Sequence, residues 1–265
     1  MQPQELEQRI TALPGWRYEF HFDGGVSTPT PSRGVANRQE QRRRYFFERL
    51  LSLTGGTLAG RRVLDLGCNA GFWALQAIEA GADFVLGIDG GRSYIDQAEL
   101  VFEAKGIDPS RYRFEHGDVF EHALTEDFDI VLCLALLDHV AKPVELFDRI
   151  AAVEPELVVI DTEVSRARLG VFEVATLYDA AEGLGDGLVL IPSRAAVEDL
   201  AARRGYQARA LELNITDYTG MGDYRRQRHL AFICSKSTPL DSLPLRPHAS
   251  GVPWWVRDPR ALLAD

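Results

Sequence analysis

The sequence has few cysteines and no long apolar run. Its three cysteines, Cys68, Cys133 and Cys234, lie far apart in apolar stretches, which predicts reduced thiols in a core rather than disulfide bonds. The longest apolar run is far shorter than the ~20 residues needed to cross a bilayer. The first residues, MQPQELEQRI, lack the basic start and apolar middle of a secretory signal peptide. We therefore expect a soluble, cytoplasmic protein that inserts no segment into a membrane.

Basic residues are also in short supply. Lys and Arg together number 29, against 39 Asp and Glu, and the formal net charge is −10. Neutralising a nucleic-acid backbone requires clustered basic side chains. The composition therefore argues against a nucleic-acid partner and favours a small-molecule one.

What is present is a globular composition with a regular alternation of patterns. The 265 residues are 46% hydrophobic and 26% charged, which is typical of a protein with a full core. Alternating strands and helices predict an α/β fold built on a doubly wound parallel sheet. Apolar runs predict buried strands at 61–67, 83–89, 128–136 and 156–162, with a weaker strand at 111–118, and helices at 71–80, 93–105 and 143–152.

Several residues mark the ends of these helices. Ser93 and Asp96 predict a capping box at the start of helix 93–105. Gly81 predicts a left-handed end for helix 71–80. A later helix over 193–204 is expected to begin at a Ser193 cap and to end at Gly205.

The chain divides into three parts by composition. Residues 1–60 predict a cap with a helix over 3–13, a strand over 16–22 and a helix over 37–53. Residues 61–236 predict the α/β domain, which ends in strands near 206–213 and 229–236 and carries an insertion at 166–190 that we expect to cover the active site. Residues 237–265 are proline-rich and predict an arm anchored by Trp254 and Trp255, which is compatible with a homodimer.

The sharpest local motif is VLDLGCNAGF at 63–72. A buried strand runs through a glycine-containing turn directly into a helix, which places free backbone N–H groups and a helix N-terminus beside a ligand. Gly67 and Gly71 allow a ligand close to the main chain. Asp89 ends the next strand, where a carboxylate can accept hydrogen bonds from both hydroxyls of a ribose.

Two cofactors compete for this turn. Dinucleotide binding prefers G-x-G-x-x-G, but Asn69 and Phe72 stand at the second and third glycine positions. S-adenosylmethionine, which has no phosphate, fits better, with Asp65 ordering the turn near its amino group and Gly117-Asp118-Val119 holding its adenine. We therefore expect cofactor contacts from Asp65, Gly67, Cys68, Asn69, Gly71, Asp89, Gly90, Asp118, Val119 and Leu134.

At these residues the chain resembles the class I S-adenosylmethionine-dependent methyltransferases. More narrowly, it is similar to the tRNA wobble-uridine carboxymethyltransferases and their small-molecule methyltransferase relatives. The resemblance covers roughly 16–236 and rests on GCNAGF (67–72), ALLDHVAKP (135–143) and LIPSRAAVEDLAARRGY (190–206). It implies a Rossmann-like seven-stranded sheet with helices on both faces.

The resemblance also bears on the choice of cofactor. Carboxymethyl-transferring members have a tyrosine before the histidine and an upstream lysine, whereas this chain has Asp138 and no lysine in PGWRYEFHF. An aspartate would repel a carboxylated cofactor by about a kcal/mol or more. We therefore expect the ordinary methyl donor.

The acid–base candidates are Asp138 and His139, just beyond the carboxyl end of a predicted strand. A histidine there could take a proton from the acceptor as the methyl group moves. The alternative is that His139 only packs against the cofactor or braces its loop. Positioning alone could supply roughly 7 kcal/mol or more of the acceleration.

Substrate contacts are expected around the same edge. Asp161 and Glu163 follow the neighbouring strand and could, with Asp138, bind Mg²⁺, although hydrogen bonds to loops or substrate explain them equally and we predict no metal. Arg38, or an arginine of the run 42–44, is expected to pair with the cofactor carboxylate. Arg225, Arg226 and Arg228 are candidates for an acidic substrate group. We predict substrate contacts from Tyr18, His21, Tyr178 and Glu163.

These observations predict an S-adenosylmethionine-dependent methyltransferase acting on oxygen or nitrogen of a small metabolite, in a bacterial biosynthetic pathway. Two alternatives stay open at this point. One is a tRNA-modifying methyltransferase or carboxymethyltransferase. The other is a pseudoenzyme that holds the cofactor without catalysis.

Overall fold

A computed structural model describes residues 1–29, 32–176 and 187–247. The described strands of the central sheet are β1 (Arg62–Leu66), β2 (Phe84–Asp89), β3 (Tyr112–His116), β4 (Ile130–Leu134), β5 (Leu157–Glu163), β8 (Gln207–Ala210) and β9 (His229–Ser235). These seven strands lie in the order β3-β2-β1-β4-β5-β9-β8, and β9 runs antiparallel to the other six. A separate antiparallel pair joins β6 (Phe172–Thr176) to β7 (Leu188–Pro192).

Helices cover both faces of the sheet and enclose two hydrophobic cores. The helices are α1 (Pro3–Ala12), α2 (Arg33–Arg42), α3 (Glu48–Leu53), α4 (Phe72–Glu79), α5 (Arg92–Ala104), α6 (Pro143–Ala152), α7 (Arg194–Ala202) and α8 (Gly222–Arg225). The first core joins one sheet face to α1 and to α3–α5, and the second joins the other face to α6 and α7. The predicted α/β, Rossmann-like seven-stranded sheet is confirmed.

Several local predictions are also confirmed. Ser193 caps α7, because its hydroxyl accepts the N–H of Ala196 at 3.1 Å. Gly81 and Gly205 adopt the left-handed backbone expected after a helix, with φ of 97° and 83°. The helix over 143–152 has the predicted bounds.

Two local predictions are wrong. Residues 16–22 form no regular strand, because their aromatic side chains pack separately into the first core and the backbone makes only an isolated bridge between His21 and Ser27. The capping box of Ser93 and Asp96 does not form either. Helix α5 starts one residue earlier than predicted, after Gly91, and Asp96 pairs with Arg92 at 3.0 Å.

The helix predicted at 37–53 begins earlier and contains a wider turn. Residues 43–47 form one π-helical turn between α2 and α3. The wider turn buries three consecutive side chains, Tyr45, Phe46 and Phe47, and leaves Arg42 directed at the sheet. Helix α2 lacks a continuous apolar face, and its contacts to the body are largely polar, which explains why periodicity missed its first turn.

The predicted C-terminal arm lies only partly within the described residues. Leu240 and Leu243 are buried, and Leu245 pairs with Leu211 beside β8, so the first part of 237–265 packs on the domain. Trp254 and Trp255 lie outside the described residues.

In the described ranges, none of the helices combines the length and apolar character that a bilayer crossing requires.

Candidate active site

The predicted cofactor turn lies where β1 ends and α4 begins. Gly67 and Gly71 adopt φ of 71° and 75°, in the left-handed region that favours glycine. The N–H groups of Gly67 and Cys68 both donate to Ile88 O, at 2.8 and 3.1 Å, which fixes the turn to β2. Asn69 is also left-handed, and its Oδ1 accepts the N–H of Ala70 at 2.8 Å. The turn is therefore held in one conformation.

Asp89 joins this turn to the end of β2. Its Oδ2 accepts the N–H of Asn69 and its Oδ1 accepts the N–H of Gly91, both at 2.8 Å. A carboxylate oxygen can accept more than one hydrogen bond, so these two contacts are compatible with a ligand on the same carboxylate. A Cβ added at Gly90, the next residue, would meet nothing within 4 Å from outside its chain neighbours, so there is open space beside Gly90. This geometry suits the predicted ribose contact.

Asp65 is buried beneath the turn. Burial, together with the nearby negative charge of Asp89, raises the pKa of the Asp65 carboxyl to about 7. Arg42 and the backbone N–H of Ala74 act in the opposite direction. Among the described residues, Asp65 Oδ2 has no hydrogen-bond partner. A buried carboxyl oxygen without a partner fits the ammonium group at the amino-acid end of S-adenosylmethionine.

The predicted adenine contacts lie on the next loop along the edge. Gly117 N–H donates to Asp89 O at 3.0 Å, which brings the loop beside β2. Asp118 is exposed and accepts the N–H of Phe120 at 2.8 Å, while Val119 is buried. Leu134, at the end of β4, is buried as well. Cys68 faces the core, and burial raises the pKa of its thiol, so only its backbone faces the turn.

Tyr18 lies over the start of α4. Its ring stacks on Phe72 with centroids 5.2 Å apart, and burial raises the pKa of its hydroxyl. Because Phe72 is the first residue of the helix that follows the cofactor turn, Tyr18 lies on the cofactor side of the edge. The N-terminal segment therefore reaches the start of α4, and the predicted substrate contact of Tyr18 stays a prediction.

Arg38 and Arg42 lie one helical turn apart on α2 and face different partners. Arg38 donates to both oxygens of Asp223, at 2.8 and 2.6 Å, and its guanidinium lies 4.9 Å from the Tyr224 ring centre. The structure thus commits Arg38 to an internal ion pair. Arg42 is buried, lies 5.2 Å from the Trp73 ring centre and acts on the pKa of Asp65, so it is the arginine of this run nearest the turn.

Arg42 belongs to a buried polar network that the sequence did not reveal. Its Nε donates to Asp161 Oδ2 at 2.9 Å, and the Tyr224 hydroxyl donates to the same oxygen at 2.6 Å. His229 Nε2 lies 3.4 Å from this oxygen, and His229 Nδ1 lies 3.5 Å from Asp223 Oδ2. Arg42 and His229 lower the pKa of Asp161 despite its burial. The residues come from α2, β5, α8 and β9, and no motif links them.

Asp138 and His139 follow β4 on a 3₁₀ turn, beside the end of β5. Asp138 is buried and accepts the Thr162 hydroxyl at 3.1 Å. His139 is 36% exposed, and its Nε2 lies 3.8 Å from Asp138 Oδ2, too far for a hydrogen bond. Just before them, Ala135 has a φ of 58°, a strained value for alanine. His139 is therefore accessible to an acceptor, and Asp138 faces inward.

The remaining candidates are only partly brought to this edge. Glu163 pairs with Arg228 at 2.8 Å. His21 is exposed, and no hydrogen bond or ion pair joins its side chain to the described part of the chain. Tyr178 lies outside the described residues. Asp161 points to the opposite sheet face from Asp138, and within the described ranges no group of three metal-ligating side chains exists.

Comparisons with known proteins agree with this geometry. Residues 58–174 match the family model described as a methyltransferase domain. A ubiquinone biosynthesis O-methyltransferase of Acinetobacter baylyi is 35% identical over 91 residues, 34% of this chain and 38% of that protein. One of Pseudomonas entomophila is 37% identical over 87 residues, covering 33% and 37%. The chain thus aligns with little more than a third of the length of these relatives.

Solved structures share the fold over most of the chain. The N-terminal domain of EvdMO1, solved in the presence of SAH and D-fucose, has a TM-score of 0.65 and 20% identity, covering 88% of this chain and 96% of that one. Magnesium protoporphyrin IX methyltransferase of Synechocystis PCC 6803, solved with SAM, has a TM-score of 0.56 and 15% identity, covering 87% and 90%.

Residues 58–174 therefore match a methyltransferase domain, and the predicted enzyme class is confirmed at the level of that match. S-adenosylmethionine, the predicted cofactor, agrees with the SAM and SAH of the solved structures that share this fold. The narrower resemblance to the tRNA wobble-uridine group stays a prediction, as do the roles of the individual site residues.

Proposed function

We propose that this protein transfers the methyl group of S-adenosylmethionine to an oxygen or nitrogen of a small molecule. One observation carries the proposal. The conformationally fixed turn at 67–71, the Asp89 carboxylate and the accessible His139 follow β1, β2 and β4 at one edge of the sheet. The O-methyltransferase relatives favour oxygen as the acceptor atom.

On the cofactor side, the chain supplies complementary polar groups. Asp89 would accept the ribose hydroxyls, Asp118 and Val119 would border the adenine, and the unpartnered Oδ2 of Asp65 would accept the ammonium group. Arg42 Nη2 lies 2.8 Å from Asp161 Oδ2 and makes no hydrogen bond to the described residues. This nitrogen would donate to the carboxylate of the cofactor. When bound, S-adenosylmethionine supplies an electrophilic methyl group on a sulfonium.

On the acceptor side, the residues would position and deprotonate the nucleophile. His139 is exposed enough to accept a proton from a hydroxyl at the edge. Asp138 does not reach His139 by a hydrogen bond and instead fixes the loop to Thr162. Asp138 is thus proposed as a positioning residue, and His139 as the general base.

Calorimetric titration with S-adenosylmethionine, S-adenosylhomocysteine and NAD⁺ tests the proposal. We expect micromolar binding of both sulfur compounds and none of NAD⁺. If neither sulfur compound binds, the proposed function is rejected and only the assignment of the fold is kept. Binding without turnover on any pool of small hydroxyl or amine compounds would favour the pseudoenzyme, and turnover on tRNA alone would favour the tRNA alternative.

A further inference from the structure

Two loops leave the sheet side by side next to the proposed acceptor position. Strand β5 ends at Glu163 and pairs with the first residue of β9, His229. The pairing continues one step further, since Val164 N–H donates to Arg228 O at 2.6 Å. The segments 165–171 and 222–228 therefore diverge from a common point at the edge that carries His139.

These two segments present five exposed arginines, of which Arg228 pairs with Glu163 at 2.8 Å. The other four are Arg166, Arg168, Arg225 and Arg226. Within the described part of the chain, no hydrogen bond or ion pair engages any of their guanidinium groups. Other surface arginines of this acidic protein do have carboxylate partners, as Arg44 has in Glu40 at 2.8 Å. Four uncompensated guanidinium groups at one edge create a local positive potential on a chain of net charge −10.

The loop 222–228 is rigidly mounted. Arg225 and Arg226 N–H groups donate to Met221 O and Gly222 O, and Arg228 N–H donates to Asp223 O at 2.9 Å. Tyr224, between the arginines and the core, is fully buried and bound to Asp161. The buried network therefore fixes the backbone that carries these two arginines.

The loop 165–171 is fixed by a different buried side chain. The Ser193 hydroxyl donates to Leu169 O at 2.6 Å and accepts Val171 N–H at 3.1 Å, and Ser193 N–H donates to Val171 O at 2.8 Å. Ser165 N–H donates to Pro192 O at 2.8 Å. Both arginine pairs thus stand on ordered backbone, so less conformational entropy is lost when a ligand binds.

We propose that Arg166, Arg168, Arg225 and Arg226 form an anion-binding surface that recognises an acidic group, phosphate or carboxylate, on the methyl acceptor. The inference rests on the proposed function, and it assigns a substrate class. A cationic amine acceptor would be repelled at this edge, whereas an anionic hydroxyl compound would be attracted and oriented toward His139. The small extent of the positive surface favours a small molecule over an RNA backbone.

Calorimetry with inorganic pyrophosphate and with malonate tests the surface and separates phosphate from carboxylate recognition. The variants are Arg166→Gln/Arg168→Gln and Arg225→Gln/Arg226→Gln. The matched control is Arg61→Gln/Arg203→Gln, whose side chains also have no partner in the described ranges but lie at the opposite edge of the sheet. Because charge-assisted hydrogen bonds are lost, we expect each edge variant to bind the preferred anion about tenfold more weakly than the wild type and the control.

Either of two results with the anions would overturn the inference: no binding of either anion by the wild type, or equal affinities in the edge and control variants. Tighter binding of bulk tRNA than of either anion at about 0.15 M salt, with a steep salt dependence, would also overturn it in favour of a nucleic-acid acceptor. Titration of the same proteins with S-adenosylhomocysteine separates the two proposals. A wild type that binds S-adenosylhomocysteine but neither anion rejects only the anion surface, whereas a wild type that binds no S-adenosylhomocysteine rejects the proposed function.

Discussion

The two halves of the sheet each bury an aspartate at the functional edge, and the two carboxyl groups behave oppositely. Asp65 in β1 faces the negative charge of Asp89, and its pKa is raised to about 7. Asp161 in β5 is just as buried, yet Arg42 and His229 hold its pKa below the usual range. Burial alone would raise both values, so the charged neighbours decide the protonation state.

The cofactor side and the acceptor side also differ in how far apart their residues lie in the chain. On the cofactor side, the groups come from successive strand ends, at 65–71, 89–91 and 117–119. On the acceptor side, the partners of Asp161 come from α2, α8 and β9, far apart in the chain. The cofactor side is built from local turns, and the acceptor side depends on long-range packing. Each region should therefore respond differently to substitution.

Arg42→Met should have the largest effect, on stability. Removing one partner of a fully buried ion pair leaves Asp161 with His229 as its remaining charged partner, and breaking a buried pair in this way typically costs about 3–5 kcal/mol of unfolding free energy. Arg38→Met on the same helix breaks a partly exposed pair with Asp223 and should cost about 1 kcal/mol or less. Urea unfolding monitored by circular dichroism measures both. Equal costs would contradict the contrast between the two arginines.

His139→Gln should affect turnover and leave cofactor affinity unchanged. Loss of a general base typically slows the reaction by about a hundredfold or more. His139 is partly exposed and its side chain lies too far from Asp138 for a hydrogen bond, so stability should change little. Rates with the acceptor found by screening, and calorimetry with S-adenosylhomocysteine, give the two readouts. An unchanged kcat would assign His139 to packing or loop support.

This division explains how much the sequence could predict. Strand ends, glycine turns and Asp89 are local features, and Gly67, Gly71 and Asp89 lie where the motif places them. The sequence could not single out Arg42 among the arginines of its polar run, because its partner Asp161 is 119 residues away. Asp161 looked like an edge carboxylate, although Arg42 and Tyr224 occupy its Oδ2. Such pairings depend on tertiary contacts that periodicity does not encode.

Asp89→Ala should weaken the cofactor side specifically. It removes the expected charged acceptor of the ribose and two hydrogen bonds that hold the turn, so S-adenosylhomocysteine affinity should fall by about 2 kcal/mol. Asp83→Ala is the matched control. Asp83 directly precedes β2 at its other end and accepts the N–H of Gly60 at 2.9 Å. Comparable losses in the two variants would show that the effect is structural and not a ribose contact.

The smallest effect should be a pH dependence of cofactor binding through Asp65. Below its raised pKa, the Asp65 carboxyl is protonated in the free protein, whereas the ammonium group of the cofactor favours the carboxylate. Binding must then release a proton at low pH, so affinity should rise with pH and level off above about 7. For one proton, the gain between about pH 6 and about pH 8 is about tenfold.

Proton release gives this prediction a readout that does not depend on activity. Titrations with S-adenosylhomocysteine at about pH 6 in two buffers of different ionisation enthalpy should reveal close to one released proton per binding event. Asp65→Asn should remove both the release and the pH dependence, because an amide does not titrate. Asp161→Asn is the wrong control, because it breaks the Arg42 network. Arg38→Met keeps Asp65 and should release the proton as the wild type does, since Arg38 is committed to Asp223. Equal proton release in Asp65→Asn and the wild type would show that a group other than Asp65 titrates, and it would contradict the proposed contact with the ammonium group.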